Sequence, residues 1–511
     1  MIKGNDVQNG VCEGRFIIPA LLSGVLLIAA FPPFEQGYLA WFALLPFFIS
    51  LVDLNPKRAF LAGVVFGLPL HLYLNLYLAN VLFPYLPTTL ALAAMAAMVI
   101  YISLFHGFFA LAASFAFRLN RAWFSALALP STWLLTEYLR SVGFMGYNVG
   151  YIGYSQWQYP YILNISSLYG YWGLAFLIVL FQAIIALAVK EKLRPKELYL
   201  VSIVFVAIFF AGLFLPNLAS TDGKDEKLKV ALIQGNISPE LVVAEGRENV
   251  LNSYLDLSRT ALQENPGLDL VAWPETVVDL DFNRGRKHPV ELQELAAEYG
   301  VSFLYGARIR EEDKLFNSIV LLDSGEDELT AYHKHRLVPF VEFFPMEELL
   351  NRLLQLDLLL GSYSAGEELT IFELDGIPLA GVVCFESYFG DHTRLFVEKG
   401  ARHIFVLTND AWFGESIGLE LHAQAAAIRA AETGVGVTQV ANSGITISFD
   451  HLGQELFRSD KSVVDTILYD FNLTKRATAY TRYGDYLPAA AALFLFISVF
   501  IYRLSFSRKI P

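Results

Sequence analysis

The sequence predicts a membrane α-helical bundle of eight predicted transmembrane helices that carries an α/β domain between its seventh and eighth spans. Three observations predict it. The 511-residue chain is 55% hydrophobic and only 17% charged, against about 25% charged in an ordinary soluble domain. Long apolar runs fill the sequence before residue 217 and return after residue 485, while the stretch between them breaks into short β-rich segments. Charge divides the same way: Asn217 to Asp485 holds 23 Lys and Arg against 43 Asp and Glu, net −20, and the rest holds 14 against 7. No Gly-rich phosphate loop or basic patch appears, and the acidic domain opposes nucleic-acid binding, so no nucleic-acid partner is expected.

A spanning helix needs about 20 mostly apolar residues. Eight stretches qualify, near 15–33, 38–53, 58–80, 89–117, 122–140, 161–189, 197–215 and 486–504. Arg15 before a short apolar stretch also fits a secretory signal, but further spans follow at once, and it reads as an uncleaved first helix. Basic residues near short loops stay cytoplasmic. Lys3 and Arg15, Lys57-Arg58, Arg118 with Arg121, the Lys190/Lys192/Arg194/Lys196 cluster and Arg503/Arg508/Lys509 share one side if the N-terminus is inside. Seven spans then place residues 217–485 outside, and the eighth returns the C-terminus. The expected domains are 1–216, 217–485 and 486–511. Cys12 and Cys384, the chain's two cysteines, fall on opposite sides of the membrane in this topology, which excludes a disulfide framework.

In the exterior segment, strands are predicted at Leu228–Gln234, Leu268–Trp273, Ser302–Ala307, Ser318–Leu322, Pro378–Cys384, His403–Thr408, Val435–Val440 and Thr446–Phe449, with helices at Glu291–Tyr299 and Leu421–Thr433. Such alternation argues for sheet faces covered by helices. Three reactive groups follow strand-like runs: Glu275 in Trp273-Pro274-Glu275, Lys334 after Thr330–Tyr332, and Cys384 after Val382-Val383. A thiol with an ordinary pKa of about 8.5 needs a base or a nearby cation to react. Glu275 can serve as the base and Lys334 as the cation. A lone cysteine at a strand end is by itself more often buried and inert; its order with the other two motifs argues for catalysis.

The chain resembles the bacterial apolipoprotein N-acyltransferases of the nitrilase superfamily over essentially its whole length. The resemblance rests on Ile233-Gln234-Gly235-Asn236-Ile237, Trp273-Pro274-Glu275-Thr276, the run from Tyr332-His333-Lys334 to Glu342, Cys384-Phe385-Glu386, and Asn409-Asp410-Ala411-Trp412-Phe413-Gly414. The membrane part adds Thr136-Glu137-Tyr138-Leu139-Arg140 and Gly153-Tyr154-Ser155-Gln156. It implies a nitrilase-like α-β-β-α sandwich and transfer of an acyl chain from a phospholipid to the α-amino group of a diacylglyceryl-cysteine apolipoprotein. Cys384 is then the nucleophile, Glu275 the general base, and Lys334 the oxyanion-stabilising cation. Glu342 supports Lys334, Glu386 is a carboxylate behind the reacting groups, and the Phe385 backbone N–H completes the oxyanion hole. The chain departs from the family pattern at Val341, where glycine is expected, and at Val242-Val243, where an aromatic is expected. The resemblance also implies a bacterial inner membrane location with the catalytic domain periplasmic, and a monomer.

The same triad would serve an amidase in which water resolves the acyl-enzyme. Seven spans before the domain favour the acyltransferase, since anchoring requires one helix. A transporter would carry ionisable residues in several spans, and Glu137 and Arg140 near the end of the fifth are nearly alone. They are either functional or a structural ion pair three residues apart. Tyr154 and Gln156 join them as membrane-side candidates. The apolar stretch containing Phe343, Phe344, Leu353 and Leu354 exceeds what one small helix face hides; it is expected to form a lid dipping into the membrane, or else to pack in the core. The hexapeptide from Asn409 to Gly414 is expected to shape the pocket wall. His422 and His451 stand isolated in sequence, so neither a metal nor another cofactor is expected.

Overall fold

The computed structural model describes residues 5–118, 122–222, 226–284, 288–324, 329–343 and 363–507. The chain divides into two compact units, one of Met1–Leu218 with Tyr483–Pro511 and one of Ala219–Arg482.

The first unit is helical: α1 (Asn5–Ile28), α2 (Leu45–Leu51), α3 (Pro56–Leu74), α4 (Thr88–Arg118), α5 (Ala122–Ser141), α6 (Tyr171–Val189), α7 (Pro195–Phe214) and the C-terminal helix Tyr486–Ser507. Asn55 caps α3, its Oδ1 accepting from the Arg58 N–H at 3.0 Å, with Pro56 at the first helical position where no N–H is needed. Helices α3 and α4 meet at small residues, which let their backbones approach closely. A side chain at Gly63 would strike the His106 carbonyl. Beside that contact the His71 and His106 Nε2 atoms lie 2.8 Å apart, and Phe66 and Phe109 pack on Trp133.

Among the described residues three helices are long and apolar enough to cross a membrane, not eight: Thr88–Arg118, Tyr171–Val189 and Pro195–Leu218. Shorter apolar pieces are Phe16–Ile28, Gly37–Leu51 and Tyr486–Phe500. An apolar run need not be one helix. The run at 38–53 is a 3₁₀ turn, Gly37–Trp41, followed by the seven-residue α2, only about 10 Å long at 1.5 Å per residue. The run at 161–189 breaks at Gly170, whose φ of 67° lies in the left-handed region, so α6 is its one long piece. Helices α3 and α5 carry Lys57, Arg58 and His71, and Glu137 and Arg140, respectively.

The second unit alternates strands and helices: β1 (Lys227–Gln234), α8 (Arg247–Glu264), β2 (Leu270–Ala272), α9 (Val290–Tyr299), β3 (Ser302–Glu311), β4 (Lys314–Leu322), β5 (Thr330–His333), β6 (Phe372–Leu374), β7 (Ile377–Val383), α10 (Gly390–Glu398), β8 (His403–Thr408), α11 (Gly418–Thr433), β9 (Gly436–Ala441), β10 (Ile447–Phe449), β11 (Glu455–Arg458) and β12 (Asp465–Asn472). One sheet runs β12-β1-β2-β3-β4-β5, with Val278–Asp281 pairing β3; the other runs β11-β10-β9-β8-β7-β6. Each has a parallel centre, β1-β2-β3 and β7-β8-β9. Phe303, Tyr305, Ala307 and Ile309 alternate toward α8 and α9, packing with Tyr254, Leu255, Leu292 and Leu295. The opposite faces meet between the sheets, so closely that a Cβ on Gly381 of β7 would come 2.7 Å from Ile319 Cδ1 of β4. Helices α10 and α11 cover the second sheet, and the result is four layers, α-β-β-α.

Sequence reasoning missed α8, which is rich in charge on its outer face, and the edge strand β12, only one of whose residues is buried. Of the expected lid, Phe343 is half-buried and follows Glu342. Phe344, Leu353 and Leu354 lie outside the described residues.

Candidate active site

β7 delivers Cys384 at its C-terminal end, where a 3₁₀ turn, Cys384–Tyr388, begins. Cys384 has a φ of 49°, a left-handed conformation uncommon for a residue with a Cβ and held only where surrounding structure imposes it. Glu386 imposes it. Its side chain is wholly buried, and Oε2 accepts from the Val383 N–H at 2.8 Å. Oε1 accepts from the Tyr332 hydroxyl at 2.8 Å, the His335 N–H at 2.8 Å and the Arg336 N–H at 3.1 Å. One carboxylate thus pins the turn after β7 to the loop after β5. Burial alone would raise the Glu386 pKa, but His392 and these donors outweigh it and push it down to about 2.

Glu275 follows β2 in a loop with little freedom. Gly306 N–H donates to the Pro274 carbonyl at 3.1 Å, and the Trp273 indole, buried under α8, donates to Ser258 Oγ at 2.9 Å. The Glu275 carboxylate is buried; Oε1 accepts from Asn317 Nδ2 at 2.7 Å and Oε2 from the Asn409 N–H at 2.9 Å. Lys334, also buried, is set by its N–H donating to the Asn317 carbonyl at 2.8 Å. Its Nζ donates to Glu342 Oε1 at 2.8 Å and lies 3.9 Å from Glu275 Oε1. Glu342 Oε2 accepts from the Val338 N–H at 2.7 Å, and Asn317 Nδ2 also reaches Glu342 Oε1 at 3.0 Å. Asn317 therefore bridges both carboxylates. Sequence reasoning missed it; the available signal was a polar residue inside the apolar strand β4.

Electrostatics divide the labour. Burial would lower the Lys334 pKa, but Glu342, then Glu275 and the thiol, reverse this and raise it, so the ammonium keeps its charge. Burial raises the Glu275 pKa, with Glu342 adding and Lys334 opposing, so it is a stronger base than a solvated carboxylate. The Cys384 thiol is pushed well above its ordinary value by burial and then by Glu275, and Lys334 only partly offsets them. A thiol so shifted reacts as a nucleophile only with a proton acceptor at the moment of attack, rather than as a standing thiolate.

His422 is not isolated, as its sequence position suggested. On the second turn of α11 it lies with Nδ1 2.9 Å from Asp410 Oδ1 and Nε2 3.1 Å from the Cys384 carbonyl oxygen. Cys384, Asp410 and His422 bring ligand-type atoms within 4.8 Å of one another, a group of metal-ligating residue types that sequence spacing gave no hint of. Both imidazole nitrogens are already engaged, so the arrangement suits a hydrogen-bonded pair. His451 sits in the turn after β10. The Phe385 ring packs on Tyr388 and Phe389, while its backbone N–H directly follows Cys384.

The membrane-side candidates all belong to the helical unit and have structural partners there. Glu137 accepts from the Tyr171 hydroxyl at 2.6 Å, and the Arg140 guanidinium lies over the Tyr151 ring at 4.4 Å. Tyr154 packs on Tyr151 and Tyr171. Gln156 staples its 3₁₀ turn to Gly37–Trp41, donating to the Gly37 carbonyl at 2.8 Å and accepting from Trp41 Nε1 at 3.0 Å.

The sequence profile of the family Carbon-nitrogen hydrolase matches residues 229–473, the span of the two-sheet sandwich. A second profile, the apolipoprotein N-acyltransferase N-terminal domain, matches residues 23–184. The chain is 30% identical to an apolipoprotein N-acyltransferase of Geobacter metallireducens, over 92% of each chain. It is 26% identical to apolipoprotein N-acyltransferase 1 of Treponema denticola, over 94% of this chain and 95% of that one. With the corresponding Pseudomonas putida enzyme the identity is 28%, over 85% and 86%. The chain belongs to the apolipoprotein N-acyltransferase family.

Two outcomes follow from this geometry. Asn317→Leu removes a donor that favours the Glu275 carboxylate, so the Glu275 pKa rises further. Activity that requires the carboxylate is lost as pH falls through that pKa. The acid limb of single-turnover acylation should therefore move up by about 1–2 pH units, the worth of a hydrogen bond to a charged group; an unmoved limb would show that Glu275 is not the titrating base. Glu386, with its depressed folded pKa, contributes stability that is full above the unfolded value of about 4.3 and is lost as pH falls through about 2. That contribution is on the order of 3 kcal/mol. Glu386→Gln should flatten the thermal midpoint of the detergent-solubilised protein over that window, and an unchanged acid dependence would contradict the anchor role.

Proposed function

We propose that this enzyme moves a fatty acyl chain from a membrane phospholipid, through a thioester on Cys384, to the α-amino group of an S-diacylglyceryl-cysteine apolipoprotein. The observation that carries the reading is the Cys384 thiol on a strained turn at the end of β7, close enough to Glu275 and Lys334 to feel both charges. Glu275 takes the thiol proton as Sγ attacks the ester carbonyl. The oxyanion of the tetrahedral intermediate is held by Lys334 Nζ and the Phe385 N–H, preorganised donors of the kind that contribute most to acyl transfer. Collapse breaks the ester C–O bond, and the departing lysophospholipid alkoxide takes the proton from Glu275. In the second half the neutral amine attacks the thioester, Glu275 accepts an amine proton, and the leaving thiolate receives it. Glu342 keeps the ammonium in place throughout.

Sidedness follows from charge. Lys190, Lys192, Arg194 and Lys196 cluster between α6 and α7, and such clusters stay cytoplasmic. Helix α7, long and apolar enough to cross, then carries the chain to the periplasmic face of a bacterial inner membrane, where Ala219–Arg482 works. The C-terminal helix returns toward Arg503, Arg508 and Lys509, leaving both termini cytoplasmic.

The test uses purified enzyme in phospholipid vesicles with a diacylglyceryl-cysteine peptide. N-acylated peptide and lysophospholipid should appear in equal amounts. Free fatty acid with unmodified peptide would instead mean that water resolves the acyl-enzyme. Lys334→Met should lower kcat by about 10²–10³, as loss of an oxyanion donor does, with KM for phospholipid nearly unchanged. A loss confined to KM would reassign Lys334 to head-group binding.

A further inference from the structure

Behind the nucleophile lies a buried pair that the mechanism above does not use. His422 is buried on α11, with the Tyr388 ring stacked at 5.5 Å and Phe413 against its edge. Nδ1 faces Asp410 Oδ1 at 2.9 Å, and Nε2 faces the Cys384 carbonyl oxygen and Ser387 Oγ, each at 3.1 Å. Asp410 is itself buried, and its Oδ1 also accepts from Thr408 Oγ1 at 2.8 Å. A carboxylate and a carbonyl only accept hydrogen bonds. The contacts to Asp410 and to the Cys384 carbonyl are both hydrogen bonds only if both ring nitrogens carry hydrogen, as in the imidazolium. A neutral ring protonated at Nδ1 can accept at Nε2 from the Ser387 hydroxyl, but it sets that lone pair against the Cys384 carbonyl and leaves the carbonyl without this donor.

The carbonyl of Cys384 and the N–H of Phe385 belong to one planar trans peptide and point in opposite directions. A donor that fixes the carbonyl oxygen therefore aims the N–H the other way. Hydrogen bonding at the oxygen also polarises the amide and strengthens its N–H as a donor. Cys384 needs such a restraint, since its positive φ is a conformation its side chain does not favour.

We propose that His422, charged and held by Asp410, is the positioning residue of the oxyanion hole: by gripping the Cys384 carbonyl it orients and strengthens the Phe385 N–H that receives the developing oxyanion. The ionisation of His422 agrees, for although burial lowers its pKa, Asp410 chiefly, with further help from the Cys384 carbonyl and Glu275, leaves it raised. The proposal rests on Cys384 being the acylated residue, and it adds a reason for the turn after β8 and the helix α11 to place Asp410 and His422 together at that point.

The test measures single-turnover acylation of Cys384 by phospholipid in the full-length enzyme, with Cys384→Ser in the same assay. His422→Leu should slow acylation by about a hundredfold, the effect of misplacing a group by about 1 Å, with KM for the donor unchanged. His422→Gln, which can place an amide N–H near the Nε2 position, should recover at least tenfold of that loss. Asp410→Asn should slow acylation, and adding it to His422→Leu should cost nothing more, because the two act as one unit. In the acyl-enzyme made with a ¹³C-carbonyl chain, the thioester carbonyl stretch should move to higher frequency in His422→Leu and in Asp410→Asn as the oxyanion-hole donor weakens. Wild-type kcat in His422→Leu, a Gln variant as slow as Leu, or an unmoved carbonyl stretch overturns the proposal. If His422→Leu does not fold, Asp410→Asn decides alone, and wild-type kcat with an unmoved stretch overturns it. Activity surviving in Cys384→Ser overturns the nucleophile reading instead, so the two failures are distinct.

Discussion

The Lys334 ammonium, buried between the carboxylates of Glu342 and Glu275, is the interaction on which the rest of the site depends. Taking three charged groups out of water is costly, and the arrangement holds only because each retains specific partners. Glu342 supplies the close contact and Glu275 the longer one, at 2.8 and 3.9 Å. That asymmetry leaves Glu275 with an incompletely neutralised charge, which is what a base needs. Asn317 steadies both carboxylates from one side-chain nitrogen, and its own backbone carbonyl receives the Lys334 N–H, so β4 governs the geometry of a cluster to which it contributes no charge.

The two sheets divide the components. The first supplies Glu275 after β2, Asn317 on β4 and Lys334 after β5; the second supplies Cys384 after β7 and Asn409 after β8. Their close approach at Gly381 and Ile319 brings the sets together. Glu386 then locks the thiol turn to the Lys334 loop. A side chain at Gly381 or a loss at Glu386 would disturb catalysis without touching substrate, by changing where the thiol stands relative to base and cation.

Much of this was legible in the sequence for a physical reason. Parallel strands buried on both faces read as continuous apolar runs, so His403–Thr408 and the run ending at Cys384 stand out, and reactive residues directly follow them. What was not legible is tertiary. Asn317 is one polar residue in a strand, and His422 is one histidine in a helix otherwise rich in alanine. Their importance arises from contacts at separations of 42 and 38 residues, to Glu275 and Cys384. Three of the eight expected spans are long, apolar helices among the described residues; hydropathy does not register where the backbone turns, as it does between Gly37 and Leu45.

The central claim is that acyl transfer passes through a thioester on Cys384 made with Glu275 as base. Mass spectrometry of the intact enzyme after mixing with phospholipid, without acceptor, tests it most directly. The account predicts a mass increase of one acyl chain, mapped to the Cys384 peptide and released by neutral hydroxylamine, and failing to build up in Glu275→Gln although that variant still binds phospholipid. Undiminished transfer with no adduct, or an adduct on another residue, would contradict it.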